Sequence, residues 1–168
     1  MDIWRARFRF DFVIMLGDNI YGSQRPADFV QKFERPYKPL LNAAVKFYAC
    51  LGNHDNTSND GYGGVNMGGR RYYTYARDNA RFFVRDSNAL DPGQIAWITA
   101  ALKDAKEPWK ICYFHHPLNS DGGRHGPSVD LRVVLEPIFV KYAVNVVSSG
   151  DDHIYERLKP QQGTRVSC

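Results

Sequence analysis

In Asp11-Phe-Val-Ile-Met-Leu16-Gly17-Asp18-Asn19-Ile20-Tyr21 a short apolar run stops at a polar cluster. The run has the length of a buried strand, and the Gly-Asp-Asn that ends it is a turn. The same pattern recurs three times. Val45-Lys-Phe-Tyr-Ala-Cys-Leu51 stops at Gly52-Asn53-His54-Asp55, and Trp109-Lys-Ile-Cys-Tyr-Phe114 stops at His115-His116-Pro117. Val144-Asn-Val-Val-Ser-Ser149 stops at Gly150-Asp151-Asp152-His153. Parallel strands of an α/β sheet open into loops at one shared edge, where ligands bind. Four such strands lying side by side would bring their oxygen and nitrogen donors to one place, as a metal site built from strand ends.

The donors are Asp, Asn, His and Tyr, with no thiolate. That set suits Zn, Mn, Fe or Co rather than a sulfur-bound structural zinc. A carboxylate such as Asp18 can bridge two cations, and two divalent metals about 3.5–4 Å apart can clamp an in-line displacement at phosphorus. A metal also lowers the pKa of bound water toward about 7.

These four blocks, in this order and at these intervals, resemble the motifs of calcineurin-like metallophosphoesterases. Tyr21, three residues after Asp18, and His125, ten after His115, narrow the resemblance to the purple acid phosphatase branch. The segment from Asp152 to Pro160 is also similar to bacterial members. The resemblance covers roughly Asp11 to Pro160. It implies a four-layer αββα sandwich and a dinuclear centre of iron with zinc, manganese or a second iron. It implies metal ligands at Asp18, Tyr21, Asn53, His115, Asp151 and His153, with Asp18 bridging. One site would use Asp18, Tyr21 and His153, and the other Asn53, His115 and Asp151. His54 and His125 would neutralise charge and protonate the leaving group, with Asp55 orienting the His54 imidazole. The nucleophile implied is a metal-bound hydroxide and the substrate a small phosphate monoester. The alternatives are diester cleavage, as elsewhere in the superfamily, and a catalytically impaired metal-binding fragment. A phenolate on ferric iron colours this branch, so Tyr21 carries a visible consequence.

The pattern departs from the family in two places. The family's first strand ends in Asp-x-Gly or Asp-x-His, and no such block precedes Gly17. Asp11 does not replace it, since seven residues of strand place it about 23 Å from Asp18. Asp2 has no following turn. The last block normally reads Gly-His-x-His, and here Asp151 takes the place of the first His; the added negative charge shifts preference toward harder cations. The expectation is an incomplete domain over residues 1–168, lacking a first βα unit and some terminal strands.

Of the two adjacent histidines, the resemblance implies His115 as the ligand, since the family places it at the strand end two residues before Pro117; His116 alternates to the other side and either packs or approaches substrate. Arg124, beside His125, is a candidate for a phosphate oxygen or a solvated cation. Asp152 should point away from the centre. Each polar block also has a plain reading as a strand-end turn.

The remaining chain is globular in composition, with 43% apolar and 14% aromatic residues in 168. The net charge is +4, without a long basic run, so nucleic-acid binding has thin support. No stretch reaches the roughly 18 apolar residues of a membrane span, and no signal peptide is readable. Compartment and oligomeric state are open. Cys50 and Cys112 fall inside expected buried strands, as small apolar residues rather than a zinc motif, although a disulfide is open to them. A helix over 27–44 should break or kink at Pro36 and Pro39. Residues 56–69 read as a long loop, and 71–75 with 81–85 as a hairpin around 76–80. Asp91-Pro92 should start a helix reaching about Lys106. Ser128 should cap another, bent at Pro137.

Overall fold

The computed structural model describes residues 1–162 and 165–166. Its strands fall where the apolar runs place them. Strand β1 (Phe12–Leu16) pairs in parallel with β2 (Lys46–Cys50), with Leu16 opposite Cys50. The second sheet has the order β3 (Tyr73–Arg77), β4 (Ala80–Val84), β5 (Trp109–Tyr113) and β6 (Val146–Ser148). The first pair is antiparallel and the other two are parallel. Register aligns Val84 with Tyr113 and Tyr113 with Ser148, so β4, β5 and β6 end together.

Helices cover the outer faces. On one side lie α2 (Pro26–Phe29), a π-helical segment (Val30–Glu34) and α3 (Arg35–Asn42). Their Phe33 and Tyr37 rings pack on Phe47 of β2. From the other face of that sheet, Tyr48 stacks on Tyr75 at 4.0 Å and Phe12 meets Phe82 edge-on. On the far side, α4 (Pro92–Asp104) and α5 (Val129–Lys141) bury Ile98, Leu102, Leu131 and Leu135 against Phe83, Cys112 and Phe114. Helix, sheet, sheet and helix form the αββα sandwich. Alternation along β4 and β5 sends Phe82 and Tyr113 into one core and Phe83 and Cys112 into the other. Each fully buried Phe or Leu contributes about 1.5–3 kcal/mol through burial.

Several local expectations change. Pro36 does not break the helix over 27–44. The backbone shifts register just before it, with the Arg35 N–H reaching the Val30 carbonyl, and Pro36 then sits in the first turn of α3, where no N–H is needed. The hairpin turn is Asp78-Asn79 alone, with Asp78 at φ 49°, as a tight turn requires. The long loop contains two 3₁₀ turns, Thr57–Gly61 and Gly63–Val65. The Asp91 side chain does cap α4, accepting from the Gly93 N–H at 2.8 Å. Ser128 occupies the N-cap of α5 without a side-chain cap bond. A short exposed helix, α1 (Asp2–Arg7), precedes β1, and Asp11 lies at the end of β1 remote from Asp18. Cys50 and Cys112 are buried free thiols. The tail forms a small antiparallel pair, β7 (Gln161–Gln162) and β8 (Arg165–Val166). Residues 163–164 and 167–168, Cys168 among them, lie outside the described residues. Among the described residues no helix is long and apolar enough to cross a membrane.

Candidate metal centre

The two sheets meet at the edge where β1, β2, β5 and β6 end. His115 is the joint. Its ring is 1% exposed, and its Nδ1 lies 2.8 Å from the carbonyl oxygen of Leu16. A carbonyl only accepts, so Nδ1 carries a proton toward Leu16 and Nε2 is the nitrogen turned to the site. That nitrogen faces three oxygens: Asn53 Oδ1 at 3.1 Å, and Asp18 Oδ1 and Asp151 Oδ1 at 3.4 Å each. An imidazole nitrogen and three oxygens, two of them from carboxylates, thus gather at one point, and the Asp18 and Asp151 side chains are nearly buried. Such an arrangement calls for a cation. Metal bonds of about 2.1 Å set neighbouring donors about 3.0–3.4 Å apart, the spacing found here.

A second group lies on the other side of Asp18. The Tyr21 hydroxyl donates to Asp18 Oδ2 at 2.9 Å and stands 3.3 Å from His153 Nε2. Asp18 therefore places Oδ1 near His115 Nε2, around which Asn53 and Asp151 also gather, and Oδ2 on the Tyr21 hydroxyl, which His153 also approaches. Desolvation, followed by the bond to Asp18, raises the Tyr21 phenol above its usual range. All six residues named from the sequence as metal ligands come together, and the donor set fits divalent or ferric cations.

Tight local geometry makes this convergence feasible. A Cβ on Gly17, whose φ is +89°, would lie 2.5 Å from the His115 ring. One on Gly52 would lie 2.2 Å from Asp18 Oδ1 and 2.3 Å from its backbone nitrogen. Three donors sit on left-handed backbone: Asp18 at φ 51°, Asp151 at 73° and His153 at 51°. That conformation costs a side-chain-bearing residue roughly 1–2 kcal/mol, and strain of this kind gathers at functional sites.

Around the centre, His54 is exposed with its ring 5.0 Å from that of Tyr21, and its backbone N–H donates to Asp18 Oδ1 at 3.0 Å. His125, His116, Asn53 and Asp151 line a cleft of about 360 Å³ beside it. Asp55 does not orient the His54 imidazole as expected. Its carboxylate accepts from the backbone N–H groups of Asn19, Ile20 and Gly52 and from Asn19 Nδ2, locking the Asp18 turn to the Asn53 turn.

Two roles were not read from the sequence. Asp152, buried between Asp151 and His153, turns its carboxylate to the His125 loop and holds it. Its carboxylate accepts from the N–H groups of His125 and Gly126 at 2.8 and 3.1 Å and from the Ser120 hydroxyl. These bonds, Ser120 foremost, hold its pKa below the usual carboxylate range. The other role falls to Arg85-Asp86-Ser87-Asn88, directly after β4. Ser87 Oγ lies 2.8 Å from His116 Nδ1, Asn88 Nδ2 donates to the Gly52 carbonyl, and Asp86 pairs with Arg71 at 3.0 Å. The sequence signal was available, since this is a fifth apolar run ending in polar residues.

The family model for calcineurin-like phosphoesterases matches residues 2–155. The chain belongs to the calcineurin-like phosphoesterase family. Among curated relatives, rabbit (Oryctolagus cuniculus) tartrate-resistant acid phosphatase type 5 is 28% identical over 191 residues, covering 90% of this chain and 58% of the relative. Purple acid phosphatase 17 of Arabidopsis thaliana is 26% identical over 90% of this chain and 55% of the relative. The chain thus spans little more than half the length of these relatives. A solved purple acid phosphatase from yellow lupin (Lupinus luteus) seeds shares the fold with a TM-score of 0.65, at 19% identity, over 89% of this chain and 32% of that one.

Proposed function

We propose that this calcineurin-like phosphoesterase hydrolyses phosphate monoesters at a dinuclear centre held by Asp18, Tyr21, Asn53, His115, Asp151 and His153. The observation that carries the reading is the Asp18 carboxylate, whose two oxygens face two separate donor groups. When bound, two cations polarise phosphoryl oxygens and make hydroxide available near neutrality. The protein's own residues do the rest. Asp55 and the glycines at 17 and 52 fix the ligand turns relative to each other, so the donors need little rearrangement. His54 is exposed with its ring beside that of Tyr21, and His125 lines the cleft. Their imidazoles offset phosphate charge and deliver a proton to the leaving oxygen.

The test uses the purified 168-residue chain loaded with Fe, Zn or Mn. Metal content is measured together with turnover of an aryl phosphate and of a bis-aryl phosphate. Two metals per chain with faster monoester turnover are expected, and Asp18→Asn should lose both metal and activity. Metal retention without turnover would make the chain an impaired relative. Full activity in Asp18→Asn would refute the bridging role.

A further inference from the structure

We propose that His116 is an additional metal ligand, joining His115 and Asp151 around the second cation of the centre proposed above, on which this inference rests. Ligand atoms of His115, His116 and Asp151 lie within 4.8 Å of one another. Opposite donors around a cation with bonds of about 2.1 Å stand about 4.2 Å apart, so a small swing of the His116 ring closes the set.

The two adjacent histidines are built alike. His115 ties Nδ1 to the Leu16 carbonyl, and His116 ties Nδ1 to Ser87 Oγ at 2.8 Å, so each ring has Nε2 left over. Ser87 is itself buried, and its Oγ also accepts the His116 backbone N–H at 3.0 Å, which fixes the residue from two sides. A histidine that binds metal characteristically has its other ring nitrogen held by such a partner. The ring is half-buried and faces the same cleft as Asp151 and Asn53, and its plane stands at 78° to that of His115. An imidazole packed only for bulk would face a core; this one faces two donor residues across open space.

The consequence concerns metal choice. His115, Asn53 and Asp151 alone offer one nitrogen and two oxygens, a set leaning toward harder cations. His116 makes it two imidazoles with a carboxylate, which favours Zn, Fe or Co. His116 thereby offsets the presence of Asp151 in this ligand set.

Equilibrium dialysis with elemental analysis, using Zn and Mn separately, tests this on the intact chain, with thermal melts to establish folding. In His116→Ala one Zn per chain should remain, the second should bind at least tenfold more weakly, and Mn should change less. Ser87→Ala keeps the ring but releases Nδ1, and should weaken the second Zn by about tenfold. Cobalt-loaded His116→Ala should also show altered visible bands. Two Zn at wild-type affinity in folded His116→Ala overturn the proposal while leaving the dinuclear reading intact. If His116→Ala does not fold, unchanged Zn affinity in Ser87→Ala overturns it instead. A wild-type chain that takes up no metal overturns both.

Discussion

Gly52→Ala tests the strand-end architecture with a single methyl group. The added Cβ would sit 2.2 Å from Asp18 Oδ1 and 2.3 Å from the Asp18 backbone nitrogen, where real Cβ contacts essentially never fall below 3.0 Å. Asp18 cannot yield by rotation alone, because its own backbone is one of the obstructing atoms. Either the Asp18 turn or the Asn53 turn must shift, and the bonds from Asp55 to Asn19, Ile20 and Gly52 resist that. Overpacking of this type costs about 1–3 kcal/mol. For a chain of this size it lowers Tm by about 2–12 °C. If Asp18 bridges two cations as proposed, its displacement should also remove the metal-dependent part of the stability. The assay is a pair of thermal melts, with and without Zn, on wild type, Gly52→Ala and Gly61→Ala. Gly61 has nothing within 4 Å of its would-be Cβ, and its change should stay within about 0.5 kcal/mol. A Gly52→Ala protein that melts with the wild type and gains the same stabilisation from Zn would refute the reasoning.

Two further outcomes are expected. Asp152→Ala should speed hydrogen exchange at the His125 and Gly126 amides by at least tenfold, while Asp152→Asn, which retains an acceptor oxygen, should change it less; unchanged protection in Asp152→Ala would show that the loop is held by something else. Arg81 grips Glu107 with two bonds, at 2.9 and 2.6 Å, which lower the Glu107 pKa from 4.5 to about 2. The folded-state value is the lower one, so this contribution is present above about pH 4.5 and fades as pH falls toward 2. Stability in Glu107→Gln should therefore decline less steeply over that interval, as read by urea melts at successive pH values.

The four polar turns that converge at the candidate centre were legible because each is announced locally, by a strand-length apolar run and a polar stop. The runs gave α/β layers with a mixed sheet, and the four-layer order came from the family resemblance that the turns carry. What escaped was set by tertiary neighbours. Asp55 reads as the partner of the adjacent His54, yet the fold brings the Asn19 and Ile20 amides to it from 36 and 35 residues away. Asp152 looks like a spacer until the His125 loop closes over it. The π segment was invisible for another reason: a one-residue register change before Pro36 leaves the apolar spacing of Phe29 and Phe33 unaltered. The hairpin around Asp78-Asn79 was readable, but its turn was drawn too wide because Ala76, Arg77 and Ala80 carry no strong strand signal. The Arg85–Asn88 group was passed over because it contains no imidazole, although it holds the ring of one.

The left-handed backbone at position 151 bears on how this site changes by mutation. Only a few side chains tolerate that conformation, chiefly Gly, Asn, Asp and His. Of these, Asp and His are the strong metal donors. The chain geometry therefore filters the substitutions open to the position before metal chemistry acts. An exchange between imidazole and carboxylate there is among the few steps that disturb neither the turn nor the presence of a ligand. Relatives of this protein can thus drift in metal preference at that position while keeping the same loop.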